Sequence, residues 1–461
     1  MDEFRIQGGT RLTGRLVVDG SKNAALPLMA ASLLTSDPVV LNGIPPLADV
    51  RSMDRLLGEL GLRVTRSGRT IQLHAQDEQR FHARYDIVKT MRASICTLGP
   101  MLARRGRVRI SMPGGCAIGD RPVDLHLRGM EALGAKITFD GGDIIAEADR
   151  LRGNTIFLGG PFGSTVLGTA NVMSAATLAE GTTIIESAAC EPEIADLARM
   201  LNGMGAKISG AGTPRIMIEG VEGLHGTEHN VLPDRIVAGT LAIAAAITRG
   251  DVLLEQFPWD HLLALIDRLN EIGVRIERTD PGEPCERCTV RVTAPDPFKP
   301  VLFTTQPYPG YPTDLQAQLM ALLCLAEGNS IVTEKIYPDR FMHVPELSRM
   351  GARLIRQGST VVVQGVPELI GAPVMASDLR GSASLIIAGL AARGETTVSR
   401  VYHVDRGYVH LEHQLHHLGA MIERVNAETG EVTSSMPAIS TRPMTDVAGP
   451  TGQVPAERIR S

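Results

Sequence analysis

Aromatic side chains are scarce in this sequence. The 461 residues hold one tryptophan, six tyrosines and nine phenylalanines, 3% of the chain. Platforms that stack nucleic-acid bases need more of them. There is no cationic excess either: 46 lysines and arginines face 51 aspartates and glutamates, a formal net charge of −5. A phosphate-backbone binder needs a basic surface, so nucleic acid is excluded as a partner. Long apolar runs are missing. Stretches such as "LAIAAAI" at 241–247 fall far short of the roughly 20 residues that a bilayer span demands, so no membrane partner is expected. The opening "MDEFRIQGG" is acidic and lacks a signal-peptide pattern, which leads us to expect a cytoplasmic protein. Six cysteines scattered over so long a chain form no disulfide framework and suit a reducing compartment.

What the sequence does have is repetition. An amphipathic helix ending in glycine and followed by a strand recurs as "LLGELGLRV", "MEALGAKI", "MLNGMGAKI", "LNEIGVRI", "ELSRMGARL" and "QLHHLGAMI", with glycines at 61, 134, 205, 273, 351 and 419. Glycine just past a helix is the usual left-handed cap. Between these lie Ala/Leu-rich helices that turn into β-rich runs, as in "AEGTTIIES" and "ARGETTVSR". The spacing is roughly 70 residues, which reads as six copies of one α/β unit. The apolar helices carry little charge on any face, so they belong inside a core with sheets wrapped around them. Six units in two groups of three predict two lobes and a cleft between them. The stretch 279–300, rich in proline and charge, is expected to be an exposed excursion, and the chain from 427 to 461 a disordered tail.

The starts of the apolar helices carry the chemistry. Lys22, Arg92, Arg235 and Arg380 occupy equivalent positions in four of the six units. Helix starts expose unpaired N–H groups and the positive end of the helix dipole, so a cation there is unfavourable for the helix itself. Four together point to a polyanionic ligand. Asp314 stands at the fifth start, where it reads as a cap or as a general base. A separate signal is "PGGCAIGDRP": Cys116 follows two glycines and precedes Arg121, as suits a reactive thiol on a mobile loop beside a cation.

The ordered set "DGSKNAALP", "MPGGCAIGDRPVDLH", "LPDRI", "PTDLQAQ", "RFMHVPELSRMGA" and "HVDRGY" resembles the UDP-N-acetylglucosamine 1-carboxyvinyltransferase family from about residue 4 to about 425. The resemblance implies a two-lobed inside-out α/β barrel, the enolpyruvyl transferase fold. One lobe would be 22–231 and the other 1–21 plus 232–426. It implies transfer of the enolpyruvyl group of phosphoenolpyruvate to the 3-hydroxyl of UDP-N-acetylglucosamine with release of phosphate, needing no metal and no redox cofactor. Cys116 would be the lid thiol, a general acid that can also add covalently to phosphoenolpyruvate, and Asp314 the base on the sugar hydroxyl. Lys22, Arg121 and Arg406 would hold phosphoenolpyruvate with Arg92 in support, and Asn23 would bond the intermediate. Asp378 and Arg380 would sit at the same centre. Pro122, Val123, Asp124 and Leu125 would line the uridine, Thr165 and Gly168 would face the diphosphate, and Arg235, Ile336 and Arg340 would complete the substrate contacts.

Three departures bear on specificity. The family usually reads Ser-Val-Gly-Ala-Thr where this chain has Thr165-Val166-Leu167-Gly168-Thr169, with a lysine just upstream that "GGPFGST" lacks. Gly381 stands where alanine is usual, and Cys190 where arginine is common. These leave open a relative acting on shikimate 3-phosphate or a related sugar nucleotide, or a non-catalytic sugar-nucleotide binder. Cys285 and Cys288 form a C-x-x-C without two further ligands at zinc spacing, and the histidines of "HLEHQLHHLG" share the solvent face of a helix, so no metal site is expected.

Overall fold

The computed structural model describes residues 2–113, 123–280, 285–294 and 296–433. Their strands form six four-stranded sheets and one two-stranded hairpin. Every four-stranded sheet has the same plan. A short edge strand runs parallel to the strand that follows a buried helix, and the remaining two strands are antiparallel. In the second unit His82–Ala83 pairs with Arg107–Ser111, which pairs with Asp143–Glu147, which pairs with Lys136–Asp140. The sixth unit completes itself with the start of the chain: Asp2–Gln7 lies between Glu395–Ser399 and Met421–Asn426. The repeat read from the sequence is therefore one supersecondary unit built six times.

The apolar helices are buried because they have no polar face to offer. All thirteen residues of Arg235–Ile247 are buried, and the same holds for nearly all of Lys22–Ala31 and Leu379–Ala391. Each fully buried leucine or isoleucine contributes about 1.5–3 kcal/mol. The buried apolar residues fall into two clusters. One runs from Ala24 to Leu232; the other joins Phe4–Val18 to Ile236–Ile422. The chain thus passes between clusters twice, and the two crossings lie side by side. Ser21 N–H donates to Leu232 C=O at 2.8 Å and Asp234 N–H to Asp19 C=O at 2.8 Å. Gly20 is needed here, because a β-carbon would lie 2.0 Å from the Gly43 carbonyl oxygen. This pairing brings the starts of helices Lys22–Ala31 and Arg235–Ile247 together: Asp234 caps the second and also accepts from Lys22 N–H at 3.1 Å.

The amphipathic helices end as expected. Gly61, Gly134, Gly205, Gly273, Gly351 and Gly419 all have φ between 87° and 104°, where a β-carbon would be strained. One expectation fails. Within 279–300, Cys288–Thr293 is an inner strand of the fourth sheet, with Cys288, Val290 and Val292 buried in the core pattern of alternate residues. The proline and charge before it hid a period-2 run. Cys285 and Cys288 are joined in a disulfide, a pairing not foreseen from the sequence. Among the described residues no helix is long and apolar enough to cross a membrane.

The first cluster is pinned by a buried amide. Asn171 Nδ2 donates to Ile95 C=O at 2.8 Å and lies 2.8 Å from His126 Nδ1, while Asn171 Oδ1 accepts from Gly99 N–H at 2.9 Å. His126 must therefore accept through Nδ1 and stay neutral. Burial, with Arg92 nearby, pushes its pKa down to about 4. A histidine depressed on folding leaves the unfolded chain binding more protons between its ordinary value and that one. Its contribution is complete above about pH 6.5 and is lost on acidification toward pH 4, on the order of 3 kcal/mol. We expect Tm to fall over this range, and His126→Gln to flatten the fall. An equal pH dependence in that variant would refute the assignment.

Candidate active site

Two ionic triads meet where the two clusters face each other. The first is built on Asp49, in the first turn of helix Ala48–Glu59. Its Oδ2 lies 3.3 Å from Lys22 Nζ and its Oδ1 accepts from Arg406 Nε at 3.1 Å. Lys22 belongs to the first cluster's helix, and Arg406 ends the 3₁₀ segment Val401–Arg406 on the second cluster's side. Asp49 therefore joins cations from the two halves of the molecule. The second triad is built on Asp314. Its Oδ1 accepts from Arg340 Nη1 at 2.8 Å and its Oδ2 from Arg380 Nη2 at 3.1 Å. The carboxylate is not a helix cap, since it bonds none of its helix's N–H groups. Asp378, by contrast, caps its own helix, Leu379–Ala391, where it accepts from Arg380 N–H and Gly381 N–H.

Electrostatics couples the triads. Burial would raise the Asp314 pKa, yet Arg380 and Arg340, with Lys22, hold it well below the usual carboxylate range. Burial lowers the Lys22 ammonium; Asp49 opposes this, while Arg380 and Arg406 add to it. Burial likewise disfavours the Arg340 and Arg380 charges, but Asp314 and Asp378 favour the first, and Tyr408, Asp314 and Asp234 the second, so both stay protonated. Four cations around two carboxylates leave a site that attracts anions. Arg235 lies close by, near enough for Asp314 to favour its charge, but Glu193 already grips it with two contacts at 3.0 and 3.4 Å. That cation is committed to joining helix Pro192–Gly203 to helix Arg235–Ile247.

Asn23 is the second residue of the Lys22 helix and half-buried. Arg92 opens the 3₁₀ segment Arg92–Thr97 and lies near enough to His126 to lower its pKa. Val123 is buried, Asp124 exposed and Leu125 half-buried at the start of helix Asp124–Ala132. Leu125 abuts the hairpin of Gly159–Gly160 and Gly163–Ser164, whose Gly163 approaches Pro307 across the molecule. Ile336 follows Glu334 and donates its N–H to that carboxylate at 2.8 Å. Cys116, Arg121 and Pro122 lie outside the described residues.

The structure explains two of the sequence departures. Thr165 Oγ1 caps helix Val166–Ala176 by accepting from Gly168 N–H at 3.2 Å. A β-carbon on Gly168 would lie 2.4 Å from the Thr165 methyl group. An alanine at 168 would therefore meet the Thr165 side chain, and glycine makes room for it. Gly381 likewise admits the Asp378 side chain, whose Oδ2 would lie 2.6 Å from a β-carbon there. Cys190 is half-buried, and burial with Glu191 beside it raises its thiol pKa.

Sequence reasoning missed Asp49 and Glu334. Glu334 is fully buried and accepts from Thr305 Oγ1 at 2.7 Å, Thr313 Oγ1 at 2.9 Å and two backbone N–H groups. Thr313 also accepts from Arg340 Nη1 at 3.0 Å, so Glu334 fixes the arginine that grips Asp314. Neither carboxylate stands out in sequence: an acid in a helix's first turn, or after a strand, is ordinary. Among the described residues no group of histidine, cysteine or carboxylate side chains could hold a metal ion.

A family model described as EPSP synthase (3-phosphoshikimate 1-carboxyvinyltransferase) matches residues 6–415. Among solved structures, the enolpyruvyl transferase NikO from Streptomyces tendae superposes with a TM-score of 0.82 at 26% identity, covering 92% of this chain and 99% of that one. EPSP synthase from Acinetobacter baumannii shares the fold, with a TM-score of 0.74 at 18% identity over 92% of this chain and 100% of that one. The curated UDP-N-acetylglucosamine 1-carboxyvinyltransferase of Gluconacetobacter diazotrophicus is 53% identical over 429 residues, 92% of this chain and 100% of the relative. That of Methylacidiphilum infernorum is 49% identical over 425 residues, 92% of this chain and 99% of the relative. With identity of this order along nearly the whole of each relative, and with the six-unit fold the motifs called for, the chain belongs to the UDP-N-acetylglucosamine 1-carboxyvinyltransferase family of enolpyruvyl transferases.

Proposed function

We infer that this chain transfers the enolpyruvyl group of phosphoenolpyruvate to the 3-hydroxyl of UDP-N-acetylglucosamine, the first committed step of peptidoglycan precursor synthesis, in the cytoplasm. The relatives' identity along the chain carries the choice of reaction. The paired triads supply a physical reason why such a site suits two anionic substrates. We assign the two hydrophobic clusters to two lobes, 22–231 and 1–21 plus 232–426, with the substrates between them.

The reaction is addition and then elimination. The sugar 3-oxygen bonds to C2 of phosphoenolpyruvate as its proton passes to Asp314, and C3 gains a proton from the Cys116 thiol. The tetrahedral ketal then loses phosphate from C2 while C3 returns a proton and the double bond re-forms. Lys22, Arg121 and Arg406 hold the phosphate and carboxylate, and Asn23 bonds the ketal. Arg92 supports them, and Arg380 with Asp378 and Arg340 orients Asp314. Pro122, Val123, Asp124 and Leu125 line the uridine beside the Thr165–Gly168 helix start, and Ile336 and Arg235 border the sugar nucleotide. The low basicity of Asp314 suits a base that takes the proton only as the new C–O bond forms.

Phosphate release from phosphoenolpyruvate tests this directly. Release with UDP-N-acetylglucosamine and none with shikimate 3-phosphate is expected; the reverse overturns the reading, and binding of the sugar nucleotide without release would make the chain a non-catalytic binder. For the thiol, the epoxide fosfomycin should alkylate Cys116, faster with sugar nucleotide present, and Cys116→Asp should abolish the mass increase while leaving an acid in place. Modification at another cysteine would remove Cys116 from the site.

A further inference from the structure

Beneath the reaction centre lies a buried polar knot that the chemistry above does not use. Gln318 sits in helix Gln316–Leu323 and is fully buried. Its Nε2 donates to the Asp314 carbonyl oxygen at 2.9 Å and reaches Thr240 Oγ1 at 3.2 Å and the Tyr408 hydroxyl at 3.3 Å. A carbonyl oxygen only accepts, so the orientation of the amide is fixed. Thr240 spends its own proton on Ile236 C=O at 2.7 Å, so Tyr408 must donate to Thr240 across their 3.0 Å contact and accept from Gln318. Tyr408 is two residues past Arg406, is buried, and has the Arg380 guanidinium carbon 5.4 Å from its ring centre.

The knot therefore joins the three buried helices of the second cluster, through Thr240, Gln318 and the Arg380 side chain, at their ends nearest the site. It also holds the main chain of Asp314 and the anchor of Arg406. Gln318 Oε1 finds no partner among the described residues. A buried amide with an orphaned oxygen is a poor choice for packing, and a leucine or methionine would avoid the desolvation cost. What the amide supplies is its donor side.

We propose that Gln318 and Tyr408 are positioning residues, which set the distance between the Asp314 carboxylate and the Arg406 guanidinium for transfer. This rests on the assignment of Asp314 as the base. The test compares Gln318→Met, Tyr408→Phe and Asp314→Asn in full-length protein by phosphate release. Gln318→Met should lower kcat about 30-fold, as expected when placement is lost by a fraction of an ångström. KM for both substrates should stay within about threefold and Tm within about 3 °C. In an Asp314→Asn background the same change should cost less than about threefold, because the base it positions is gone. Tyr408→Phe removes a single oxygen and should repeat the kcat loss in a variant that folds. The proposal is overturned if both variants keep native kcat, or if Gln318→Met costs as much without Asp314 as with it, which would mark a structural role. An Asp314→Asn enzyme of native activity would instead overturn the assignment of the base.

Discussion

Replacing Asp314 with asparagine should lower kcat by about a thousandfold, within the range that a positioned general base supplies. The change is nearly isosteric, so the loss is chemical. Asparagine accepts one hydrogen bond through its oxygen but turns an NH₂ toward the other guanidinium, so either Arg340 or Arg380 faces a donor. The sugar hydroxyl then has no group to take its proton. KM for the sugar nucleotide should change far less than kcat, because the hydroxyl is one contact among many. Asp314→Glu should stay well below native, since a longer side chain cannot keep both arginine contacts and reach the same point. The direction of the pKa shift adds a second expectation. The carboxylate is held ionised well below the usual range, so it contributes no acid limb to kcat between pH 5 and 8. A thousandfold loss together with an intact acid side identifies Asp314 as the base; an Asp314→Asn enzyme with native turnover would remove it from the mechanism.

The sequence disclosed the parts of this molecule that depend on local backbone physics. The six helix-ending glycines were legible because a left-handed residue after a helix excludes most side chains, and all six adopt that conformation. Lys22, Arg235 and Arg380 were legible because a cation at a helix start is locally unfavourable and so demands an explanation. Asp49 was invisible for the converse reason. An acid in a helix's first turn is locally favourable, so nothing in "PLADVRSM" marks it as the bridge between Lys22 and Arg406. Glu334 and Gln318 were hidden because their side-chain partners lie 21 to 90 residues away and are set by the packing of whole units. The strand Cys288–Thr293 was misread where composition was allowed to outweigh periodicity.

Asp49→Asn should lower kcat about a hundredfold while leaving KM for phosphoenolpyruvate within about threefold. Two opposed effects decide this. Removing a negative charge about 6 Å from a bound anion favours that anion by about 3 kcal/mol at an effective dielectric of about 20. Against it, the Arg406 side chain, 40% exposed, loses its fixed partner, and ordering it on binding costs about 1–2 kcal/mol. Lys22 also loses the carboxylate that counters its burial, so its pKa falls further and part of it is neutral at alkaline pH. Binding is left near balance, whereas the geometry that aligns the phosphate with the attacking oxygen has lost its common anchor. The Lys22 shift gives a separate signature: the basic limb of kcat/KM for phosphoenolpyruvate moves to lower pH in Asp49→Asn, because the ammonium loses the carboxylate that counters its burial. Native kcat in Asp49→Asn would mean that the two cations need no bridge, and that the contact between the halves of the molecule at this point is incidental to turnover.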